Sequence, residues 1–261
     1  MPNQSGSTTY DNAILARLPA DEQALLESNM EFVELKRRAM MYDAGKAIEH
    51  VFFIETGIAS ILSVLADGSG VETATIGREG MIGSAIFHGV DRTAEQAMMQ
   101  VPGSAHRVAT PVFRSLLPRL PQLSSILHRY SVYLFTFAAQ NSGCNRKHSV
   151  EQRLTRWLLI VADRVGANEF ELTHDFMSQM LGVRRASVTE VITELETRGM
   201  IRTRRGTVII ADRPALESVA CECYGVIRDA LAAFLGNTGG TIAFSDMELS
   251  RDGISTVGDG G

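Results

Sequence analysis

The segment Thr173–Ile210 constrains the fold more than any other part of the chain. Thr173 stands as a helix N-cap before Asp175, Phe176, Met177, Met180 and Leu181, whose apolar members recur at helical spacing. Gly182 interrupts the pattern, which resumes from Ser187 to Arg198 with Val188, Val191, Ile192 and Leu195. Two short runs come next, Ile201-Arg202-Thr203 and Thr207-Val208-Ile209-Ile210, joined by Arg204-Arg205-Gly206. The order is helix, turn, helix, hairpin. In a helix-turn-helix the second helix enters the DNA major groove, and its N-terminal side chains reach base edges. Here that helix opens with Arg184, Arg185, Ser187 and Thr189. Arginine pairs bidentately with guanine, while Ser and Thr suit phosphates or bases. Arg204 and Arg205 at the hairpin tip would hold the flanking backbone as a wing does. The Thr173 hydroxyl and its helix N-terminus would meet a phosphate. The alternative is an ordinary helical hairpin with solvated arginines.

The chain of 261 residues carries a net charge of −5, which by itself argues against nucleic acid. Its distribution argues the other way. Residues 146–213 hold 12 Lys and Arg against 9 Asp and Glu, whereas residues 1–145 hold 11 against 14 and residues 214–261 hold 2 against 7. A basic segment between two acidic ones points to a module with its own partner. An apolar content of 45% excludes a largely disordered chain. No apolar run reaches the length of about 18 residues that a membrane span requires. MPNQSGSTTYDN lacks the basic-then-apolar form of a secretory signal. Three cysteines without framework spacing fit a reducing compartment, so the expected location is cytoplasmic, with no membrane partner.

Residues 1–12 are polar and read as mobile, and Pro19 separates two short helices. From 31 to about 110 short apolar runs alternate with turn signals, including Asp43-Ala44-Gly45, Thr56-Gly57, Asp67-Gly68 and Pro102-Gly103. This texture predicts a β-barrel or sandwich of short strands. Pro111 starts a helix, and Pro118 and Pro121 punctuate the helical stretch after it. Residues 122–144 then run without a breaker until Gly143. Ile126, Tyr130, Tyr133, Leu134 and Phe137 form a stripe that can face a core, a symmetry mate, or both. Residues 149–165 form another helix with Ser149 and Gln152 as a capping box. A last helix is expected over about 214–235, and the Gly/Ser/Asp-rich tail reads as disordered.

Three segments carry a resemblance to a known family: Ile48-Glu49-His50-Val51-Phe52-Phe53-Ile54-Glu55-Thr56-Gly57, Gly77-Arg78-Glu79-Gly80-Met81-Ile82-Gly83, and Leu181-Gly182-Val183-Arg184-Arg185-Ala186-Ser187-Val188-Thr189. Over roughly 14–230 the chain resembles the Crp/Fnr regulators. The resemblance implies an α+β chain in four parts. An N-terminal cyclic-nucleotide-binding-like β-roll would span 13–121 and a dimerisation helix 122–146. A C-terminal winged helix-turn-helix would span 147–235, and a disordered tail 236–261. It implies a homodimer on a palindromic double-stranded DNA site, with Ile126, Tyr130, Tyr133, Leu134 and Phe137 at the dimer contact and RNA polymerase as a further partner. It implies a regulator and no enzyme, so no catalytic residue is expected. A cupin-type enzyme on the β-roll is disfavoured because no His-x-His pair offers metal ligands.

The recognition helix departs from the family pattern of an Arg-Glu pair and a second Arg one turn later. Arg185 matches the first Arg, but the Glu position is Ala186 and the later Arg position is Glu190. The docking mode is expected to carry over and the family half-site is not. The cyclic-nucleotide cassette departs too. Gly83 matches the ribose-side Gly, yet the Glu position holds Ser84, which offers no carboxylate to a ribose hydroxyl. Arg92-Thr93 looks like the phosphate element but falls about three residues early, and Glu95 occupies the expected place, where it would repel a phosphate. The effector is therefore expected to be an unidentified small molecule other than cyclic AMP, met by Gly83, Ser84, Arg92 and Thr93, with no cofactor. Two alternatives stay open. One is a cyclic-nucleotide-responsive regulator using Arg92-Thr93. The other is a sensor or protein-interaction module without specific DNA binding.

An iron–sulfur centre of the family type needs four thiolates, and N-terminal cysteines are absent. Cys221 and Cys223, two apart on one expected helix, would point different ways and act as small buried hydrophobes. No metal site is expected. Cys144 lies at the end of the long helix, with a redox role left open.

Overall fold

A computed structural model describes residues 9–236. The predicted disordered tail, apart from its first residue, and the first eight residues of the polar N-terminus lie outside the described residues. The N-terminal half is built on two long antiparallel strands, β3 (His50–Val64) and β6 (Glu95–Ala109). The strands β1 (Glu31–Leu35), β2 (Met40–Tyr42), β4 (Gly70–Ile76) and β5 (Met81–Ile82) pair along them in the order β1-β6-β3-β4. β2 pairs with β6, and β5 pairs with β3. Phe53, Ile54, Ile58, Leu62 and Ile76 are fully buried inside this roll.

Two expected turns are bulges instead. The runs read as separate short strands are continuous, and Thr56-Gly57 and Pro102-Gly103 face each other in mid-ladder, where the register shifts. Gly57 has φ +78°, and a Cβ there would stand 2.6 Å from the carbonyl oxygens of Val101 and Pro102. A bulge bends a strand without ending it, and glycine permits both the left-handed backbone and the close approach. Asp67-Gly68 does form the predicted hairpin between β3 and β4, with Gly68 at φ +81°.

The expected mobility of residues 1–12 fails for its described part. Tyr10 and Asn12 are buried. Asn12 donates through Nδ2 to the Ile54 and Gly80 carbonyls, both at 2.8 Å, and accepts the Ile14 and Leu15 N–H groups. A 3-10 turn at Leu15–Arg17 and helix α1 (Ala20–Glu27), with Pro19 at its N-cap, come next as expected. The Glu22 carboxylate on α1 accepts the N–H groups of Gln122 and Leu123. It thereby caps a helix a hundred residues away.

That helix is α3 (Pro121–Lys147), reached through α2 (Thr110–Leu116) and a 3-10 turn. It runs through Gly143. One interior glycine costs only about 1 kcal/mol, less than the packing on either side of it supplies. The aromatic stripe turns inward. Ile126, Tyr130, Tyr133 and Phe137 are buried within their own chain and Leu134 is half-buried, so the first four are not available to a symmetry mate. The Tyr130 hydroxyl donates to the Met81 carbonyl at 3.0 Å and accepts the Met81 N–H at 3.2 Å. Tyr133 stacks on Phe234 at 5.9 Å. The outer face of α3 carries Val132 and Phe135, 59% and 76% exposed.

Helix α4 (Val150–Val165) starts at the predicted capping box, with Ser149 and Gln152 bonded reciprocally, and ends at Gly166 in the left-handed region. A short strand, β7 (Glu169–Glu171), then pairs antiparallel with residues 207–209. Glu-Phe-Glu has one apolar residue and carries no strand signal along the sequence. Helices α5 (His174–Leu181) and α6 (Arg185–Thr197) and strands β8 (Ile201–Arg204) and β9 (Thr207–Ile210) complete the module. The single expected last helix is two, α7 (Arg213–Val219) and α8 (Cys223–Leu235), because Ala220 adopts an extended backbone with ψ 149°.

The two halves meet at a buried polar seam. Arg164 on α4 and Glu79 after β4 pair at 2.7 Å with side chains only 3% and 5% exposed. Arg164 also donates to the Tyr133 hydroxyl at 2.6 Å. Glu72 on β4 accepts hydrogen bonds from Ser60, Thr75 and the Trp157 indole. Burial pushes its carboxyl above the usual range, and those three donors oppose the shift. Replacing Arg164 by Met leaves Glu79 buried without its partner. Urea denaturation is expected to show a loss of about 3–5 kcal/mol, and Glu79→Leu in the same chain is expected to recover most of it.

Candidate nucleic-acid interface

The helix pair α5–α6 is assembled by short-range chemistry. The Thr173 hydroxyl oxygen accepts the Phe176 N–H at 3.2 Å, as its position predicted. Gly182 takes φ +61° and ends α5, where a side chain would be strained. Met177, Met180, Leu181, Val188, Ile192 and Leu195 are buried and fix the crossing of the two helices.

The predicted contact residues lie on the outside. Arg184 is the N-cap of α6 and Arg185 its first residue, and both are exposed. Arg185 meets Asp175 at 3.2 Å, with both side chains 66% exposed. An exposed pair of this kind contributes about 0–1 kcal/mol, so Arg185 is free to exchange it for another partner. Ser187 is half-buried. Thr189 is exposed, but its hydroxyl donates to the Arg185 carbonyl at 3.1 Å and lies 3.0 Å from His174 Nδ1. His174 escapes sequence reasoning, because a residue after an N-cap carries no special signal.

The hairpin tip comes to the same end of the module. Leu172 N–H donates to the Gly206 carbonyl at 2.8 Å, so the tip stands beside Thr173 and the start of α5. Arg204 and Arg205 are exposed there, joined by Arg202 on β8. Arg205 itself has φ +48° and Gly206 φ +82°, the tight turn that aims both flanking chains outward. Glu196 on α6 accepts the N–H and hydroxyl of Thr203 and locks hairpin to helix.

The predicted effector residues are less open. Gly83, at φ +88°, leads into a 3-10 turn that contains the half-buried Ser84. The Arg92 guanidinium donates to the Gly45 carbonyl at 3.2 Å, and the Thr93 hydroxyl donates to the Glu95 carbonyl at 3.2 Å. The Thr93 hydroxyl is thus held within its own loop, while the exposed Arg92 is tied by one bond to the turn between β2 and β3.

The cysteines depart most from expectation. The break before α8 frees Cys221 and Cys223 from a common helix, and both turn inward. Their thiols meet Cys144 on α3 and the ring of His148, with all four donor atoms within 4.8 Å of one another. A hydrogen bond from Cys221 pulls the Cys144 thiol well below its usual range, and the Arg156 and Arg153 guanidiniums help. The same hydrogen bond pushes the Cys221 thiol up.

Residues 152–219 match the model of the Crp-like helix-turn-helix domain. No curated protein matches the chain. Solved structures share its fold. A transcriptional regulator assigned to the Crp/Fnr family from Eubacterium rectale superposes with a TM-score of 0.62 at 15% identity, over 77% of this chain and 94% of the other. FixK2 from Bradyrhizobium japonicum gives 0.63 at 15% identity, over 74% and 98%. The c-di-GMP responsive global regulator CLP from Xanthomonas campestris gives 0.62 at 14% identity, over 74% and 99%. Residues 152–219 therefore form a Crp-like helix-turn-helix domain, and the chain as a whole shares the fold of these Crp/Fnr-type structures.

Proposed function

We propose that the protein is a homodimeric, sequence-specific DNA-binding transcription regulator with α6 in the major groove. The observation that carries this reading is the clustering of exposed cations at one end of the module. Arg184 and Arg185 open α6, and Arg204 and Arg205 stand at a hairpin tip tied to the start of α5. Arg185 and Arg184 serve as base or phosphate contacts, and Arg204 and Arg205 hold the backbone. The exposed Ala186 and Glu190 replace the family's usual contacts, so the half-site differs from the family's.

The dimer seam moves to the outer face of α3. Ser125, His128, Val132, Phe135, Ala139, Ser142 and Arg146 are all exposed and recur in alternating steps of three and four. That is the heptad spacing of a two-helix seam. A twofold axis along it presents two copies of α6 to a palindromic site, with half-sites about 34 Å apart. RNA polymerase is the further partner of such a regulator. The effector is other than cyclic AMP, because Ser84 brings no carboxylate, the Arg92 guanidinium donates to the Gly45 carbonyl and the Thr93 hydroxyl to the Glu95 carbonyl.

Selection from a random duplex pool, with and without cyclic nucleotides, tests the whole reading. A palindrome recovered without nucleotide supports it, and a site recovered only with cyclic AMP returns Arg92-Thr93 to the role of phosphate cradle. On the recovered site Arg185→Ala is expected to cost about 1–3 kcal/mol and relax one base-pair preference, while Arg205→Ala weakens all sequences alike. Unchanged binding by Arg185→Ala would favour the protein-interaction alternative. Phe135→Glu is expected to shift the protein to a monomer by sedimentation while leaving its circular dichroism unchanged, since Phe135 packs on little of its own chain.

A further inference from the structure

Cys144 sits in the last turn of α3, and His148 is the residue that caps that helix. Four residues apart, the two side chains share one face. Cys221 lies in the break between α7 and α8, and Cys223 is the first residue of α8. Cys144 Sγ and Cys221 Sγ are 3.6 Å apart, and Cys223 Sγ and His148 Nδ1 are 3.5 Å apart. A tetrahedral ion with bonds of about 2.3 Å to sulfur and 2.0 Å to nitrogen has edges of about 3.8 Å between sulfurs and about 3.5 Å between sulfur and nitrogen. Those two separations already stand near the edges such an ion requires, and the other pairs lie within 4.8 Å. An iron–sulfur cluster would need its thiolates spread around several metal atoms, and these are too close together.

The surroundings match a metal centre as well. His148 Nε2 faces the Glu222 carboxylate at 3.2 Å, so Nε2 carries the proton and the Nδ1 lone pair points at the thiols. The Gln140 amide donates to Cys223 Sγ at 3.0 Å. Arg153 and Arg156 are buried close by, and each has an Nε without a hydrogen-bond partner. Three thiolates, one neutral imidazole and a divalent ion carry one net negative charge, the sign that two buried guanidiniums require.

We propose that Cys144, His148, Cys221 and Cys223 bind one tetrahedral thiophilic divalent ion of the zinc class, which clamps the end of α3 to the α7–α8 junction. The three cysteines bind as thiolates, and the protons they lose on binding pass to solvent. The clamp spans the hinge at 148–149 between α3 and α4, so it fixes the direction in which the DNA-reading module leaves the long helix. It uses none of the DNA-contacting residues, and its test is independent of DNA binding.

The test is metal analysis of the full-length protein purified under reducing conditions, with added Zn2+ or Co2+ as the probe. One zinc per chain is expected, and cobalt in its place is expected to give the intense visible bands of a tetrahedral thiolate site. Cys223→Ser is expected to abolish both. Glu222→Gln, at an exposed position whose change does not threaten folding, is expected to weaken zinc binding by about tenfold or more. Removal of the ion is expected to speed amide exchange in 143–152 and 219–226. The proposal is overturned if zinc-incubated protein stays metal-free with three alkylatable thiols. It is overturned equally by a native Cys144–Cys221 disulfide, or by a brown iron centre that releases sulfide on acidification.

Discussion

The Glu79–Arg164 pair is the contact on which the arrangement of the two halves depends. It joins the loop after β4 to the helix that opens the helix-turn-helix module, and both of its side chains are almost wholly buried. A buried ion pair gains little net stability, because desolvation offsets the Coulomb term. What it enforces is geometry. A displaced module would leave a bare carboxylate and a bare guanidinium in an apolar interior. Tyr133 extends the constraint to α3 by accepting from Arg164, and Phe137 lies under the guanidinium at 5.3 Å. Burial raises the Tyr133 hydroxyl far above its ordinary range, so it stays protonated as this network requires. Roll, long helix and module are thus held at one point by three polar groups.

A second polar seam repeats the logic nearer the roll's interior. Trp157 and Arg156 on α4 reach Glu72 and Asn141, and Asn141 donates to the Glu72 carbonyl. Each seam links α4 to the sheet and to α3. The cysteine–histidine cluster adds a third linkage at the far end of α3, on the hinge itself. The surface proposed to read DNA is built in the opposite way. Its arginines are exposed, weakly paired and able to change partner, while the helices beneath them are fixed by a dry core and a glycine turn. Rigid support under mobile cations suits a surface that must conform to phosphates and base edges.

Local rules made the reading module legible in the sequence. The Thr173 cap, the Gly182 stop, the Ser149–Gln152 box and the Arg204-Arg205-Gly206 tip depend on residues within a few positions of one another. No distant contact was needed to place them. The β-roll was legible in its class and wrong in its detail. Gly57 and Gly103 carry the composition of turns, but a turn and a bulge both call for glycine, and only the partner strand decides between them. The stripe on α3 met the same limit. A helix packed on its own core and a helix packed on its mate show the same periodicity, and nothing local says which face meets which surface.

The sequence by itself determined the local elements and the chemistry available: where helices start and stop, and which arginines gather at the opening of α6 and the hairpin tip. Tertiary structure alone decided which distant groups meet. Glu22 caps a helix a hundred residues away, Tyr133 turns inward while Phe135 turns out, and three cysteines with no common spacing along the chain converge with His148. The physical reason is range. Caps, turns and periodicities are set by bonds that span a few residues, whereas burial and ligand geometry depend on how whole elements pack. The break at Ala220 shows the difference most sharply. As one helix, Cys221 and Cys223 would diverge, but one extended residue before α8 brings both thiols to the same point.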